Sequence, residues 1–191
     1  MSSLWRSDRL VYRMIEEDDI DFLETLLTPD DFSHVDVEYP KPRWLGRKIF
    51  DDITQEHALV AMICLPDSTV DNEEHLAPIG VINLSASPAD MQQHRAIGIG
   101  LAIGSRFQRR GYGTEAVYWA VDWGFKRMNL HRVWLSVLGY NPDALRLYKR
   151  MGFVEETHER KAVWRGGRYY DDITLSILEN EWRARRAVPS R

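Results

Sequence analysis

A short basic segment with two glycines is the strongest candidate for chemistry in this sequence of 191 residues. Arg109 and Arg110 lead directly into Gly111 and Gly113, and a long apolar-periodic run follows. The first N–H groups of a helix have no intrahelical partner, and the helix dipole makes their surroundings positive. Glycine lets an anion approach such a backbone closely. The segment therefore predicts an anion site, although a lone Gly-x-Gly more often serves only to turn the chain.

Two other phosphate-binding motifs fit the segment less well. A P-loop needs Gly-x-x-x-x-Gly-Lys followed by Ser or Thr, and the sequence contains no such string. The pattern Gly111-x-Gly113-x-x-Ala116 has the form of a Rossmann fingerprint. That fold also needs an acidic residue about 20 residues further on, and the segment 131–138 contains none. A dinucleotide-binding domain is therefore disfavoured.

The composition favours a single compact domain over residues 1–191, with a core at about 10–182 and a short polar C-terminal tail. Hydrophobic residues make up 44% of the chain, and the formal net charge of -4 disfavours nucleic acid as a ligand. The single cysteine, Cys64, excludes an internal disulfide and is expected to be a buried thiol. The chain lacks a signal-peptide pattern and a membrane-spanning run, so we expect a soluble, cytoplasmic protein without membrane contact.

Apolar periodicity predicts the elements that position the basic segment. Two helices are expected in the N-terminal half, over residues 16–27 and 44–53. The predicted strands of this half comprise residues 10–14, 57–65, 78–84 and 95–103. A polar loop separates the second of these strands from the third, and the middle of the chain reads as an antiparallel meander.

The C-terminal half carries clearer helix and turn signals. The residues after Gly113 repeat apolar positions at spacings of one and four, which predicts a long helix. A strand is expected at 132–138, and Asn141 followed by Pro142 marks the start of a second helix. Gly152 ends that helix. Two strands, over 154–165 and 168–178, flank Gly166-Gly167 as a hairpin.

The order of these motifs resembles the GCN5-related N-acetyltransferase (GNAT) superfamily, and within it the ribosomal-protein-alanine acetyltransferase (RimJ/RimL-like) branch. Gln108 to Gly113 is similar to the pyrophosphate loop Gln/Arg-x-x-Gly-x-Gly/Ala, and Thr114-Glu115-Ala116 continues it. Asn141 to Phe153 resembles Asn-x-x-Ser/Ala-x-x-Leu-Tyr-x-x-x-Gly-Phe, and Gly167 to Trp182 resembles the closing strand and helix of the branch. The resemblance implies an α/β (α+β) fold, in which helices flank a mostly antiparallel twisted sheet of about six or seven strands.

The resemblance also implies acetyl-CoA as the cosubstrate and no metal. The residues that it assigns to the pyrophosphate are Gln108, Arg109, Arg110, Gly111, Tyr112, Gly113 and Thr114. The preceding strand would diverge from its neighbour, so that the pantetheine arm pairs with its edge at Leu101 and Ile103. The N–H near Leu101 would then face the thioester carbonyl. Asn141 would bond the same arm in addition to capping its helix.

Tyr148 is the best candidate for catalysis by the same resemblance. The matching tyrosine of the family donates a proton to the departing CoA sulfur, whereas the helical spacing of Tyr148 also fits core packing. Ala96 occupies the position where the branch carries a glutamate base. His94 is two residues earlier and, on a strand, would share that face, so it is a candidate base. Asp171 and Asp172 are typical of the branch. A mechanism that needs no general base is equally open.

The acceptor is expected to be a primary amine such as a protein N-terminus, a polyamine, an antibiotic or a small amine. Candidate acceptor-site residues are the aromatic Tyr39, Trp44, Trp164 and Tyr169 and the acidic Asp30, Asp31, Asp36 and Glu38. The implied function is direct acetyl transfer in a ternary complex (EC 2.3.1.-), by a monomer or homodimer. The alternatives are a catalytically weak or inactive CoA-binding regulatory module and an interaction domain that binds no CoA.

Overall fold

A computed structural model of the chain describes residues 5–26, 47–48, 50–52, 57–67, 75–85 and 89–187. The strands are β1 Val11–Arg13, β2 His57–Asp67, β3 His75–Ser85, β4 Ala96–Ile103, β5 Arg132–Leu138, β6 Val154–Arg165 and β7 Arg168–Leu178. The helices are α1 Ile20–Leu26, α2 Tyr112–Arg127, α3 Pro142–Met151 and α4 Glu179–Ala187. Short 3-10 turns cover Glu17–Asp19, Ala89–His94 and Ser105–Phe107, and residues 47–48 and 50–52 are helical.

The strands form one seven-stranded sheet in the order β1-β2-β3-β4-β5-β7-β6. The pairs β1–β2, β2–β3, β5–β7 and β6–β7 are antiparallel. β4 and β5 are parallel, and α2 connects them. This architecture confirms the predicted fold class, a mostly antiparallel sheet of six or seven strands with helices.

The described residues group into two units by their contacts. The first comprises Met1–Ala86 and Gly100–Asp122. Its core includes Val11 on β1, Leu23 on α1, and Met62 and Cys64 on β2. Cys64 is buried, as expected, and this burial raises the pKa of its thiol to about 11.

The second unit comprises Ser87–Ile99 and Trp123–Arg191. Alternate residues of β5 and β7 are buried, as expected for strands that pack one face on a core. These residues are Val133, Leu135, Val137, Ile173, Leu175 and Ile177. Trp182 on α4 is buried, and its ring lies 6.4 Å from that of Phe125. The prediction of a single domain stays a prediction.

β6 is the last strand of the sheet order and is solvent-exposed over most of its length. Every residue from Val154 to Ala162 is exposed, on both faces of the strand. The pairing of β6 with β7 is also irregular, because the register shifts between Glu155 and Thr157 and again between Glu159 and Val163. This edge therefore differs from the regular, half-buried β7 beside it.

The structure corrects the placement of two sequence-based predictions. His94 does not lie on β4: it ends the turn Ala89–His94, and Arg95 has a φ of 49°, which interrupts the extended chain before Ala96. The alternation that placed His94 on the strand face is therefore wrong. The hairpin of β2 and β3 is also longer than expected, since the backbone pairing continues through Pro66, which lies opposite Leu76.

Candidate active site

The basic segment forms a closed loop between β4 and α2. Gly104 donates its N–H to the Ile79 carbonyl oxygen at 2.9 Å, which fixes the end of β4 against β3. The amide Nε2 of Gln108 donates to the Ile103 carbonyl oxygen at 2.8 Å and so closes the turn that follows. This amide of Gln108 braces the loop internally, whereas the sequence had suggested it as a donor to the anion.

Two residues of the loop have a left-handed backbone. Arg109 and Gly111 both have positive φ, 59° and 84°. α2 then begins at Tyr112, and the N–H of Glu115 donates to the Gly111 carbonyl oxygen at 3.1 Å. The N–H groups of the preceding helical residues have no intrahelical acceptor. They therefore form the expected cluster of donors at the positive end of a helix, which fits a pyrophosphate group.

Gly113 allows α2 to pack closely on β4. A Cβ at this position would lie 3.2 Å from Leu101 Cδ2 and 3.8 Å from Ile103 Cγ1. The first distance is tighter than an ordinary carbon contact and the second is an ordinary one, so a side chain at position 113 would require Leu101 or the helix to shift. The structure thus brings together two predicted groups of cofactor-binding residues, those of β4 and those of the loop.

The pairing of β4 with its parallel neighbour is limited to the start of the strand. The ladder joins Ala96–Gly98 to Arg132–Trp134, whereas β4 itself continues to Ile103. Among the described residues, Leu101 and Ile103 are outside this ladder. The contact of this later part of β4 with a ligand stays a prediction.

The loop is strongly basic, and one carboxylate, Glu115, follows it in the first turn of α2. Arg106, Arg109 and Arg110 are exposed. Burial by itself would raise the pKa of Glu115, but hydrogen bonds from Ser7 and from both the backbone and the guanidinium of Arg9 lower it. The sequence analysis missed Ser7 and Arg9, since no local pattern connects them to a loop about a hundred residues away.

The second unit carries Asn141 and Tyr148 on α3 and confirms the predicted cap. Asn141 Oδ1 accepts the N–H of Ala144 at 3.1 Å, and Pro142 is the first residue of the helix. Gly152 ends α3 with a φ of 104°. The local sequence therefore fixes both ends of the helix that carries Tyr148.

Tyr148 is partly buried and remains protonated at neutral pH. Its ring meets Phe153 edge-on, with the centroids 5.7 Å apart. Burial raises the pKa of the phenol to about 12. The side chain therefore offers a proton on Oη throughout the physiological range, and the ring also contributes packing.

The other candidates have different surroundings. His94 is exposed. Asp171 Oδ2 lies 2.7 Å from His158 Nε2, and Asp171 Oδ1 accepts the N–H of Lys161 at 2.8 Å. The hydrogen bond between His158 and Asp171 raises the pKa of His158. The sequence analysis did not select this histidine. Asp172 accepts a hydrogen bond from Ser136.

The described acceptor-site candidates are two exposed aromatic residues of the β6–β7 hairpin. Trp164 and Tyr169 face each other across the strands with ring centroids 4.7 Å apart, and their exposed fractions are 55% and 60%. The remaining candidates lie outside the described residues: Asp30, Asp31, Asp36, Glu38, Tyr39 and Trp44.

Removing the Asn141 cap will separate its two predicted roles. We expect Asn141→Ala to lower the free energy of unfolding by about 1 kcal/mol, because the Ala144 N–H loses its partner. Asn141→Ser keeps a cap but lacks the amide donor, so its stability should stay close to that of the wild type. Chemical denaturation and CoA titration of both variants measure this. Weaker CoA binding in the stable serine variant would show a ligand contact, and an unchanged stability of the alanine variant would contradict the capping role.

Two properties of the described residues concern metals and membranes. Side chains of His, Cys, Asp or Glu do not come together in groups of three or more that could hold a metal ion in the part of the chain that the structure describes. Within those same residues, none of the helices has both the length and the apolar character needed to cross a bilayer.

The sequence matches a family model. The model described as "Acetyltransferase (GNAT) family" covers residues 14–153. This span includes β4, the basic loop, α2 and the whole of α3.

Two curated relatives match the chain over about half of their own length. The chain is 34% identical to the spermidine N(1)-acetyltransferase of Vibrio cholerae over 89 residues, which is 47% of this chain and 51% of that enzyme. It is 33% identical to an uncharacterized N-acetyltransferase of Bacillus subtilis, YnaD, over 44% of this chain and 49% of the relative. The chain thus spans about half the length of these two relatives.

Solved structures share the fold over nearly the whole chain. The spermidine N-acetyltransferase of Vibrio cholerae in complex with CoA and spermine superposes with a TM-score of 0.74 at 24% identity. The match covers 93% of this chain and 99% of that one. An acetyltransferase (GNAT family) from Bacillus anthracis superposes with a TM-score of 0.72 at 21% identity, over 92% and 98% of the two chains.

Proposed function

Because the chain belongs to the acetyltransferase (GNAT) family, we propose that it transfers an acetyl group from acetyl-CoA to a primary amine in a ternary complex. The observation that carries this proposal is the loop between β4 and α2. It combines a left-handed Gly111, exposed arginines and the N–H groups at the start of a long helix. An anion as large as a pyrophosphate fits that set of donors.

The loop and β4 would hold acetyl-CoA, which supplies an activated acetyl thioester when bound. Backbone N–H groups from Arg109 to Thr114 bind the pyrophosphate, and Arg109 and Arg110 add charge. The later edge of β4, beyond the ladder that ends at Gly98, binds the pantetheine arm like an added strand. In this arrangement the N–H near Leu101 stabilises negative charge on the carbonyl oxygen during attack. Asn141 binds the same arm.

Tyr148 is proposed as the residue that assists the leaving sulfur. With a pKa of about 12, the phenol is a weaker acid than a thiol, whose usual pKa is about 8.5. Tyr148 therefore stabilises the departing sulfur first as a hydrogen-bond donor. Its Oη keeps a proton available over the whole pH range in which the enzyme would work.

A protonated amine must lose a proton before it can attack, and the chain has no carboxylate for this at position 96, which is alanine. His94 is an exposed side chain and is proposed as a base that acts through water. Attack by an amine that is already neutral is the alternative, and it needs no base. The two mechanisms differ in whether acetyl transfer depends on the His94 side chain.

A polyamine or a related primary amine is the proposed acceptor. Two similar proteins support this proposal. One is a spermidine N(1)-acetyltransferase, and the other is a spermidine N-acetyltransferase whose structure contains CoA and spermine. The resemblance to the RimJ/RimL-like branch also keeps protein N-termini among the candidates. Cytoplasmic location, a monomeric or homodimeric state, and independence from nucleic acid and metal stay predictions.

Thiol release from acetyl-CoA across a panel of amines tests this function. The panel contains spermidine, spermine, peptides with free N-terminal alanine or serine, an aminoglycoside and a small alkylamine. We expect release above the hydrolysis background with at least one primary amine, and an acetylated product of the expected mass. The second candidate is a CoA-binding module without turnover, which the alanine at position 96 favours. Calorimetric CoA binding without release on any amine would replace the first candidate by the second.

A further inference from the structure

One arginine of the N-terminal segment, Arg9, makes three hydrogen bonds to the basic loop and the first turn of α2. Its Nε donates to Glu115 Oε2 at 2.8 Å, and its backbone N–H donates to Glu115 Oε1 at 2.7 Å. Its Nη1 donates to the carbonyl oxygen of Arg110 at 3.0 Å. The guanidinium carbon also lies 4.8 Å from the centre of the Tyr112 ring. Arg9 therefore joins the end of the loop to the first turn of α2.

The segment that carries Arg9 is itself anchored on the same face of α2. Ser7 Oγ donates to Glu115 Oε1 at 2.6 Å and lies 3.0 Å from Tyr12 Oη. The Tyr12 ring stacks on Trp119, with centroids 3.8 Å apart and an interplanar angle of 6°. Glu115 and Trp119 are four residues apart, so they lie on one face of the helix. The N-terminal segment thus runs along the face of α2 that begins at the loop.

The position of Glu115 is unfavourable for an anion site unless Arg9 compensates for it. The pKa of Glu115 is lowered, so its carboxylate is charged at neutral pH, close to the helix N-terminus where a pyrophosphate would bind. A lone negative charge there would repel the ligand. Paired with Arg9, the same carboxylate holds a guanidinium against the Arg110 carbonyl.

We propose that Arg9 is a positioning residue for acetyl-CoA: it holds the loop in its anion-binding conformation before the ligand arrives, and Glu115 acts by orienting Arg9. This inference rests on the proposed function. The loop needs such support because Arg109 has a positive φ of 59°, a conformation that costs energy at a non-glycine residue. A loop that is ordered in advance does not lose conformational freedom on binding, and this raises affinity.

The first test replaces Arg9 and measures affinity separately from chemistry. We expect Arg9→Ala to raise the Kd for CoA by about 10-fold or more, in line with the loss of hydrogen bonds to a charged group. The single-turnover rate at saturating acetyl-CoA should stay at the wild-type value, since the bound loop is the same. Arg9→Lys keeps the charge but cannot bridge Glu115 and the Arg110 carbonyl with a planar fork. It should therefore fail to restore the affinity.

The second test uses Glu115→Gln, for which positioning and simple charge effects predict opposite results. Removing a negative charge near the pyrophosphate should tighten CoA binding if charge alone matters. If Glu115 orients Arg9, the same variant should bind CoA more weakly, because the amide NH₂ cannot accept the Arg9 Nε–H. The double variant Arg9→Ala with Glu115→Gln should then be no weaker than Arg9→Ala alone.

A matched control removes an exposed ion pair from a helix of the other unit. Arg183→Ala breaks the pair with Glu179 and should leave CoA affinity unchanged. Thermal unfolding shows whether each variant is folded. If Arg9→Ala does not fold, the CoA affinities of Glu115→Gln and Arg9→Lys test the positioning role instead. Wild-type affinity in Arg9→Ala, rescue by lysine, or tighter binding by Glu115→Gln would each overturn the inference while leaving the function intact. Absence of CoA binding by the wild type would overturn both.

Discussion

Replacing Gly111 by aspartate is expected to abolish CoA binding in a chain that still folds. Gly111 has a φ of 84°, a region that aspartate tolerates better than most residues. A Cβ there would lie 3.2 Å from Arg9 Nη2, so the new side chain would crowd the guanidinium beside the loop and place a carboxylate where the anion would bind. Like charges brought together at a binding site cost several kcal/mol, so the Kd should rise by more than about 100-fold. Calorimetric titration with CoA measures this.

Two further variants separate the charge from the backbone strain. Gly111→Ala adds the strain without the carboxylate and should weaken CoA binding much less than aspartate does. Gly167→Asp makes the same substitution at another glycine with positive φ, 78°, where a Cβ would meet no atom within 4 Å. It should leave CoA affinity at the wild-type level. A folded Gly111→Asp variant that binds CoA normally would contradict the assignment of the loop.

Removing the hydroxyl of Tyr148 is expected to slow the chemical step by about 10²-fold, the lower end of what a placed proton donor contributes. Tyr148→Phe keeps the ring that packs against Phe153, so the fold and the affinity for acetyl-CoA should change little. Single-turnover acetyl transfer is the measurement, because product release can hide the chemical step in steady-state rates. Tyr118→Phe, at an exposed tyrosine of α2, is the control for loss of a phenol.

The pH dependence of this variant follows from the direction of the pKa shift. Burial raises the pKa of Tyr148 to about 12, so the wild-type phenol stays protonated from acid pH to well above neutrality. The departing thiol has a pKa near 8.5, and above this pH it can leave without a proton. The deficit of Tyr148→Phe should therefore shrink as the pH rises past that value. Equal rates of wild type and variant at every pH would make Tyr148 a packing residue only.

The local features of the site could be predicted from the sequence because neighbouring residues determine them. Asn141-Pro142 caps α3 and Gly152 ends it, as predicted, because a side-chain acceptor and a left-handed glycine are required at those positions. Gly166 and Gly167 both have positive φ and form the predicted hairpin turn. The start of α2 directly after Gly111 follows from the same kind of signal.

The predictions that failed depended on where a strand stops. His94 has a suitable side chain, but the positive φ of Arg95 separates it from β4, and arginine carries no sequence signal for that conformation. Pro66 suggested a loop, yet a proline near the end of a hairpin can sit opposite Leu76 without ending the strand. The sequence alone also could not show whether β4 and β5 pair in parallel or antiparallel orientation.

The contacts of Arg9 show what a single sequence cannot provide. Arg9 and Glu115 are separated by 106 positions, and each looks like an ordinary surface charge in its own segment. Only the packing of the N-terminal segment along α2 brings them to 2.8 Å. A long-range pair of this kind depends on the tertiary structure, so periodicity and local motifs do not reveal it.

The exposed last strand of the sheet, β6, is a surface on which another chain could add a strand. An unpaired strand edge is a template for further strands and hence for aggregation. In β6 the charged side chains of Glu155, Glu156, Glu159, Arg160 and Lys161 lie on that edge, and the two register shifts bend its backbone groups out of line. We therefore expect that a second copy of the chain does not continue the sheet at β6.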